Sequence, residues 1–317
     1  MTDTQNEVFK TPVNKIRLFE HGAPGSQNFK LTRKYYTEDM PDGRVKHIVQ
    51  NITDPDIVPY IPDGIGNSTD RQRIPAVLII PGGAFRRLVY NFEGEDVAKW
   101  LNSMGIAAFV LECRLPSDEH DNAEDVPLID AMRAMRVIRG RAQEFGIDEA
   151  KIGVMGFSAG GFMAALLSTA YESDVYADYK YKDEYDKLSA RPDFAVCSYP
   201  VISIDDCIEA GKRYMSEEQV LERISDSKAK ILHKYNPDKL VRLDMPPVFI
   251  CETDDDRTTL SENSVGFYMA ARKAGVSAEL HIFRTGGHGY GCGDDFAQTG
   301  EWKVLFTKWI KSIGIIS

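Results

Sequence analysis

A chain of 317 residues, 43% hydrophobic and 27% charged, has the composition of a globular protein that can bury a sizeable core. A net charge of −10 argues against holding a polyanion through bulk electrostatics, so no nucleic-acid partner is expected. No apolar run approaches the roughly 18 residues that cross a bilayer, and the opening MTDTQNEVFKTPVNK lacks a basic start followed by an apolar stretch, so a cytoplasmic protein without membrane attachment is expected.

Residues 1–70 are polar and rich in turn formers, reading as an N-terminal extension or antiparallel edge strands. The pattern changes at residue 74. IPAVLIIPGG is a continuous apolar run stopping at glycines, as fully buried parallel strands do. EGEDVAKWLNSMG has helical spacing and IAAFVLECR reads as the next strand. DVPLIDAMRAMRVIRGRAQEFG reads as one long amphipathic helix capped by Gly146. KIGVMGF and AGGFMAALLSTA then give another strand and helix. This alternation predicts right-handed βαβ units in a mainly parallel sheet with helices on both faces. It resumes with DFAVCSYPVI, PPVFICE, NSVGFYMAARKAG, AELHIF and EWKVLFTKWIKSIG, all within one domain over 1–317.

Two stretches interrupt the alternation. Residues 171–191 carry five tyrosines among mixed charges and precede a strand, which puts them at the end of the sheet away from the usual ligand crevice. They read as surface, or as contact with a second copy of the chain. Residues 204–245 follow a strand and include EEQVLERISDSKAKILHKY, which reads as helical; this is where a lid or insertion over the site would lie.

GFSAG, from Gly156 to Gly160, joins a predicted strand to a predicted helix. That context gives the G-x-S-x-G spacing its meaning, because a tight turn pushes the Ser158 hydroxyl out over the sheet edge at a helix N-terminus. The plain alternative is a glycine-rich turn capped by a serine. A serine needs a base. Of six histidines, His288 lies in the glycine-rich FRTGGHGYG after the last predicted strand, the right place in chain order. His281 sits inside that strand, and His21, His47, His120 and His233 lie in polar segments elsewhere. The acid should come between them, and PPVFICETDDD ends a strand on Asp254, Asp255 and Asp256; spacing leaves the three open. PGGAF, from Pro81 to Phe85, can turn two backbone N–H groups toward one point, with the N–H of Ala159 as a further donor to an oxyanion. The cysteines, Cys113, Cys197, Cys207, Cys251 and Cys292, are scattered without C-x-x-C spacing, so free thiols and no metal site are expected.

Taken together, PGGAF, EGEDVAKWLNSMGIAAFVLECRL, PLIDAMRAMRVIRGRAQEFGID, GFSAGGFMAA, PDFAVCSYPVIS, MPPVFICETDDD and AELHIFRTGGHGYG resemble the α/β-hydrolases, and over 74–317 their acetyl-esterase and xylan-esterase-like branch, whose members are sometimes labelled as xylanases. The resemblance implies an α/β-hydrolase fold and a Ser158–His288–acid triad. It maps the acid to Asp256, with Asp255 as the alternative, and the oxyanion donors to Gly83 and Ala84. It implies hydrolysis of short acyl esters, acetate on sugars or xylo-oligosaccharides, without metal or organic cofactor. The chain departs from the branch in having Ala84 for a third glycine, Glu252 for a histidine, and Thr258-Thr259-Leu260 for a Val-Val-Pro-like run. The rival readings are a peptidase of prolyl-oligopeptidase type, a lipase for long acyl chains, and a non-catalytic binding protein on the same fold.

Overall fold

The computed structural model describes residue 9 and residues 13–65, 73–220, 230–293 and 298–317. The strands are β1 (Ile16–Arg17), β2 (Lys34–Asp39), β3 (Val45–Gln50), β4 (Asp56–Tyr60), β5 (Ile74–Ile80), β6 (Leu88–Val89), β7 (Ala107–Glu112), β8 (Ile147–Phe157), β9 (Ala195–Ser198), β10 (Val248–Thr253) and β11 (Ala278–Phe283). Eight of them form one sheet in the order β1-β4-β7-β5-β8-β9-β10-β11. From β7 to β11 every neighbouring pair is parallel, while β1 and β4 add an antiparallel edge. β7, β9 and β10 are buried at every residue, which in a pleated strand means that both faces are covered. The remaining strands, β2, β3 and β6, form a small antiparallel sheet.

The helices that follow the strands are α1 (Asp96–Ser103), α2 (Val126–Gly140), α3 (Ala142–Phe145), α4 (Ala159–Ala170) and α5 (Ile204–Tyr214), with Ser261–Lys273 and Trp302–Ser312 closing the chain. The single helix expected up to Gly146 breaks at Arg141, and Gly146 ends the short α3 in a left-handed conformation, φ 66°. α4 is apolar almost all round because it is nearly enclosed. Trp302, Phe306 and Trp309 of the last helix are buried, with Phe249 of β10 edge-on to Phe306 at 6.0 Å and tilted against Trp309 at 5.5 Å.

Residues 171–191 show mixed exposure. Tyr181 faces solvent, but Tyr171 and Tyr176 are buried, and Tyr176 accepts from Arg136 of α2 and donates to Asp186. Of the predicted 204–245 insertion, α5, residues 217–220 and Lys230–Lys234 are helical; the middle of EEQVLERISDSKAKILHKY, 221–229, lies outside the described residues. Cys113, Cys197, Cys251 and Cys292 are free and buried; the side chain of Cys207 is outside the described set. Among the described residues no helix is long and apolar enough to cross a membrane, and no cluster of three or more His, Cys, Asp or Glu is arranged to hold a metal.

Two buried ionic clusters fasten the N-terminal residues to this sheet. Arg114, just past β7, is fully buried against the equally buried Asp130 of α2 at 2.7 Å, and its guanidinium also donates to the Pro24 carbonyl and to Ser26 Oγ. Glu112, the last residue of β7, takes Lys15 at 2.7 Å and Arg33 at 2.6 Å, and Arg33 also reaches Asp56 of β4 at 2.6 Å. Removing one member of a buried pair leaves an uncompensated charge, which costs far more than losing an exposed pair. Arg114→Leu is therefore expected to lower unfolding stability in urea by about 3–5 kcal/mol. Arg213→Ala, which breaks the exposed pair with Glu262, should leave it almost unchanged.

Candidate active site

β5, β8, β10 and β11 all end at the same edge of the sheet, and every predicted site residue lies just beyond one of those ends. Ser158 separates β8 from α4 with φ 54° and ψ −119°, a conformation that costs an L-residue energy and persists only where its surroundings impose it. The neighbouring glycines make it possible. A Cβ on Gly156 would stand 1.9 Å from the Gly160 carbonyl, and one on Gly160 2.0 Å from the Ile80 carbonyl of β5. The chain thus reverses against its own strand and against the neighbouring one, with the Ser158 side chain at the tip.

Ser158 Oγ lies 2.9 Å from His288 Nε2, and His288 Nδ1 lies 2.7 Å from Asp256 Oδ2. Of the three aspartates left open by spacing, Asp256 is thus the one that reaches the ring. Asp254 and Asp255 are exposed, and Asp255 Oδ1 instead accepts the Gly287 N–H at 2.8 Å, holding the loop that carries the histidine. The other oxygen of Asp256 accepts the N–H groups of Thr258 and Thr259 at 2.7 and 2.9 Å, and the Thr259 hydroxyl donates to Oδ2 at 2.9 Å. Burial alone would raise this carboxyl, but the hydrogen bond and charge of His288 and the two N–H donors outweigh it and hold it below the ordinary aspartate range. It stays ionised, as a partner for an imidazolium must.

The loop after β5 approaches the serine from the other side. Gly83 has φ 138°, a region reserved for glycine, and Ala84 and Phe85 follow at φ 57° and 59°. The alanine that replaces a glycine here therefore sits in a left-handed conformation. Among the described residues no hydrogen bond occupies the N–H of Gly83 or Ala84, and Ala159, as the first residue of α4, has no carbonyl one turn back within the helix. All three predicted oxyanion donors are thus unspent.

Sequence reasoning missed what fixes this loop. Glu93 is buried beside the site, and its Oε2 accepts the Gly82 N–H at 2.8 Å. Its Oε1 accepts the Tyr199 hydroxyl at 3.0 Å; the hydroxyl oxygen of Tyr199 in turn accepts the Gly291 N–H at 3.0 Å, and the Tyr199 ring packs edge-on against His288 at 5.1 Å. One carboxyl therefore ties the oxyanion-side loop to the histidine loop. EGEDVAKWLNSMG read as an ordinary amphipathic helix start, and an acidic residue there gave no sign that it points inward. Burial pushes the Glu93 carboxyl above the ordinary range, offset in part by His288, Tyr199, Gly82 and Lys46.

These groups line a cavity of about 230 Å³ that holds Ser158, His288 and Thr258. Met40, Arg44 and Lys46 of the β2–β3 hairpin also line it, together with Arg87, Val89 and Phe92. α5 lies next to the acid loop, with Arg257 over the Tyr214 ring at 5.5 Å, but none of the described residues of 204–245 lines the cavity. The first 70 residues, which carried no part of the resemblance, supply the wall instead.

A mostly parallel sheet with a serine on a strained turn after its central strand and a histidine–aspartate pair on two later loops defines an α/β-hydrolase fold. The chain belongs to the BD-FAE family, whose profile spans residues 65–270. It is 31% identical over 240 residues to an acetylxylan esterase of Xylanibacter ruminicola, covering 75% of this chain and 45% of that one. It is 29% identical over 269 residues to an endo-1,4-beta-xylanase B of Butyrivibrio fibrisolvens, covering 82% and 40%. The chain thus spans less than half the length of these two relatives. Among solved structures, it is similar to the acetyl ester-xyloside bifunctional hydrolase of Caldicellulosiruptor lactoaceticus, with 35% identity, coverage of 96% and 97%, and a TM-score of 0.70.

The raised Glu93 carboxyl has a measurable consequence. The folded state holds that proton to a higher pH than the unfolded chain does, so its contribution to stability falls as pH rises above the ordinary glutamate range. In urea unfolding, Glu93→Gln is expected to remove this term, so that the stability of the wild type relative to the variant declines between about pH 5 and pH 8. Glu93→Ala, which leaves the Gly82 N–H and the Tyr199 hydroxyl without their acceptor, should cost about 2–5 kcal/mol at either pH.

Proposed function

We propose that the chain is a serine carboxylesterase that removes short acyl groups, acetyl above all, from sugars or xylo-oligosaccharides. The observation that carries this reading is the unbroken hydrogen-bonded chain Ser158–His288–Asp256 opening into a small cavity beside three unspent backbone donors. His288 Nε2 takes the proton as Ser158 Oγ attacks the ester carbonyl. Asp256 orients the ring and stabilises the imidazolium without itself being protonated. The N–H groups of Gly83, Ala84 and Ala159 receive the charge on the tetrahedral intermediate, and one such donor is worth roughly 2.7–4 kcal/mol in the transition state. His288 then protonates the leaving alcohol. Water, activated by the same nitrogen, attacks the acyl-enzyme and frees the acid. Every proton and every charge in this sequence has a partner in the chain's own residues.

Three further facts support the substrate class. The cavity is smaller than the roughly 300–1,000 Å³ that takes a drug-sized ligand, which favours a short acyl group over a long one. The relative from X. ruminicola is named an acetylxylan esterase, and the similar structure from C. lactoaceticus is described as acting on acetyl esters and xylosides. The lining sets three cations, Arg44, Lys46 and Arg87, among Met40, Val89 and Phe92, which interrupts the broad apolar face a long-chain lipase needs.

The test is turnover of p-nitrophenyl acetate, butyrate and octanoate, with acetate release from acetylated xylo-oligosaccharides alongside. Acetate should be preferred to octanoate by about tenfold or more in kcat/KM, a barrier difference near 1.4 kcal/mol. Ser158→Ala should lower kcat by about 10⁴-fold or more, and Asp256→Asn by about 10⁴-fold, because the asparagine would fix the wrong histidine tautomer. Equal rates in the wild type and Ser158→Ala would refute the esterase reading.

A further inference from the structure

The walls of the catalytic cavity are charged opposite to the protein as a whole. Arg44, Lys46 and Arg87 line it together with Ser158 and His288, in a chain whose net charge is −10. Glu93 is the one carboxylate among the lining residues; it is turned inward to Gly82 and Tyr199, and burial favours its neutral form. Arg44 and Lys46 lie two residues apart at the start of β3 and so face the same side of the hairpin.

The three cations are not equivalent. Arg44 pairs with Asp42 at 2.8 Å and lies over the Phe92 ring at 5.2 Å. Arg87 pairs with Glu38, which stands directly across from Lys46 in the β2–β3 register. Glu38 is taken by Arg87, and Lys46, half-buried in the cavity lining, has no carboxylate within 4 Å among the described residues and feels Glu93 only at longer range. An ammonium held in no close ion pair can meet an anion on a ligand.

We propose that Lys46, supported by Arg44 and Arg87, selects acetyl esters whose alcohol part carries a carboxylate, of which a uronic-acid-bearing sugar is the fitting class. This rests on the esterase reading. An acetyl group is uncharged, so the anion has to belong to the alcohol. Arg44 and Lys46 share one cavity with Ser158, within which both parts of the ester must lie. The same cations would also favour charge developing on the ester oxygen of any substrate, so selection shows only in a comparison of two alcohols.

The probes are 4-acetoxybenzoate and 4-acetoxybenzamide, acetates of nearly equal size that differ in the charge on the leaving group. For the wild type the ratio of their kcat/KM values is expected to exceed that of Lys46→Gln by about fivefold, the scale of one partly exposed ion pair. Lys46→Arg should keep most of the preference. In the wild type the preference should shrink between about 0.05 and 0.5 M salt, as screening predicts. An unchanged ratio in Lys46→Gln, or an equal loss on both esters, overturns the proposal. So does a wild-type ratio indifferent to salt, a measurement that needs no variant to fold. If the neutral amide is turned over no faster by the wild type than by Ser158→Ala, the esterase reading itself has failed, and the proposal falls with it.

Discussion

The approach of the start of α4 to the end of β5 is the constraint on which the site depends. At 2.0 Å from the Ile80 carbonyl there is no room for a side chain on Gly160, and Gly156 has none to spare against Gly160 itself. Only with both positions bare can Ser158 occupy its strained backbone conformation at the start of α4. The strain is held by the sheet. β8 is a central strand, flanked by β5 and β9, and the Ser158 N–H is bonded to the Ser198 carbonyl at the end of β9 at 3.0 Å. A local energetic cost is met by a strand paired on both sides.

The other parts of the site are held by hydrogen bonds that converge on two carboxyls of opposite character. Asp256 has donors on both oxygens and stays charged, whereas Glu93, equally buried, has fewer donors and is pushed toward its neutral form. The first is bonded to the His288 ring. The second joins two loops without placing a further full charge beside Ser158. The same side-chain chemistry thus serves two purposes, distinguished by how many donors surround each group.

Much of this was legible in the sequence because it depends on local signals. Continuous apolar runs ending in glycine marked β5 and β8, and chain order placed Ser158, the aspartates and His288 at one end of the sheet. What was not legible depends on register and on long-range packing. Three adjacent aspartates differ only in where the loop after β10 points, and that follows from the turn made by Thr258 and Thr259. Glu93 looked like one acidic residue among several at a helix start. The long helix ending at Gly146 broke at Arg141 because neither its periodicity nor its cap marks an interior kink. Residues 1–70 read as an extension or edge strands, but the pairing of the β2–β3 hairpin with β6 was not legible, because its residues alternate weakly and meet β6 only after the β5 loop has returned to them.

That hairpin has an implication for how such a protein can change. The BD-FAE profile begins at residue 65, so the wall formed by Met40, Arg44 and Lys46 lies outside the part that defines the family. The N-terminal residues are fastened to the sheet through Lys15, Arg33, Asp56 and Glu112, none of which lines the cavity. Lengthening, recharging or exchanging a few hairpin residues would therefore reshape the cavity while leaving the strained serine, its histidine and both carboxyls untouched. The shape and charge of the cavity can in this way vary over an unchanged hydrogen-bonded frame.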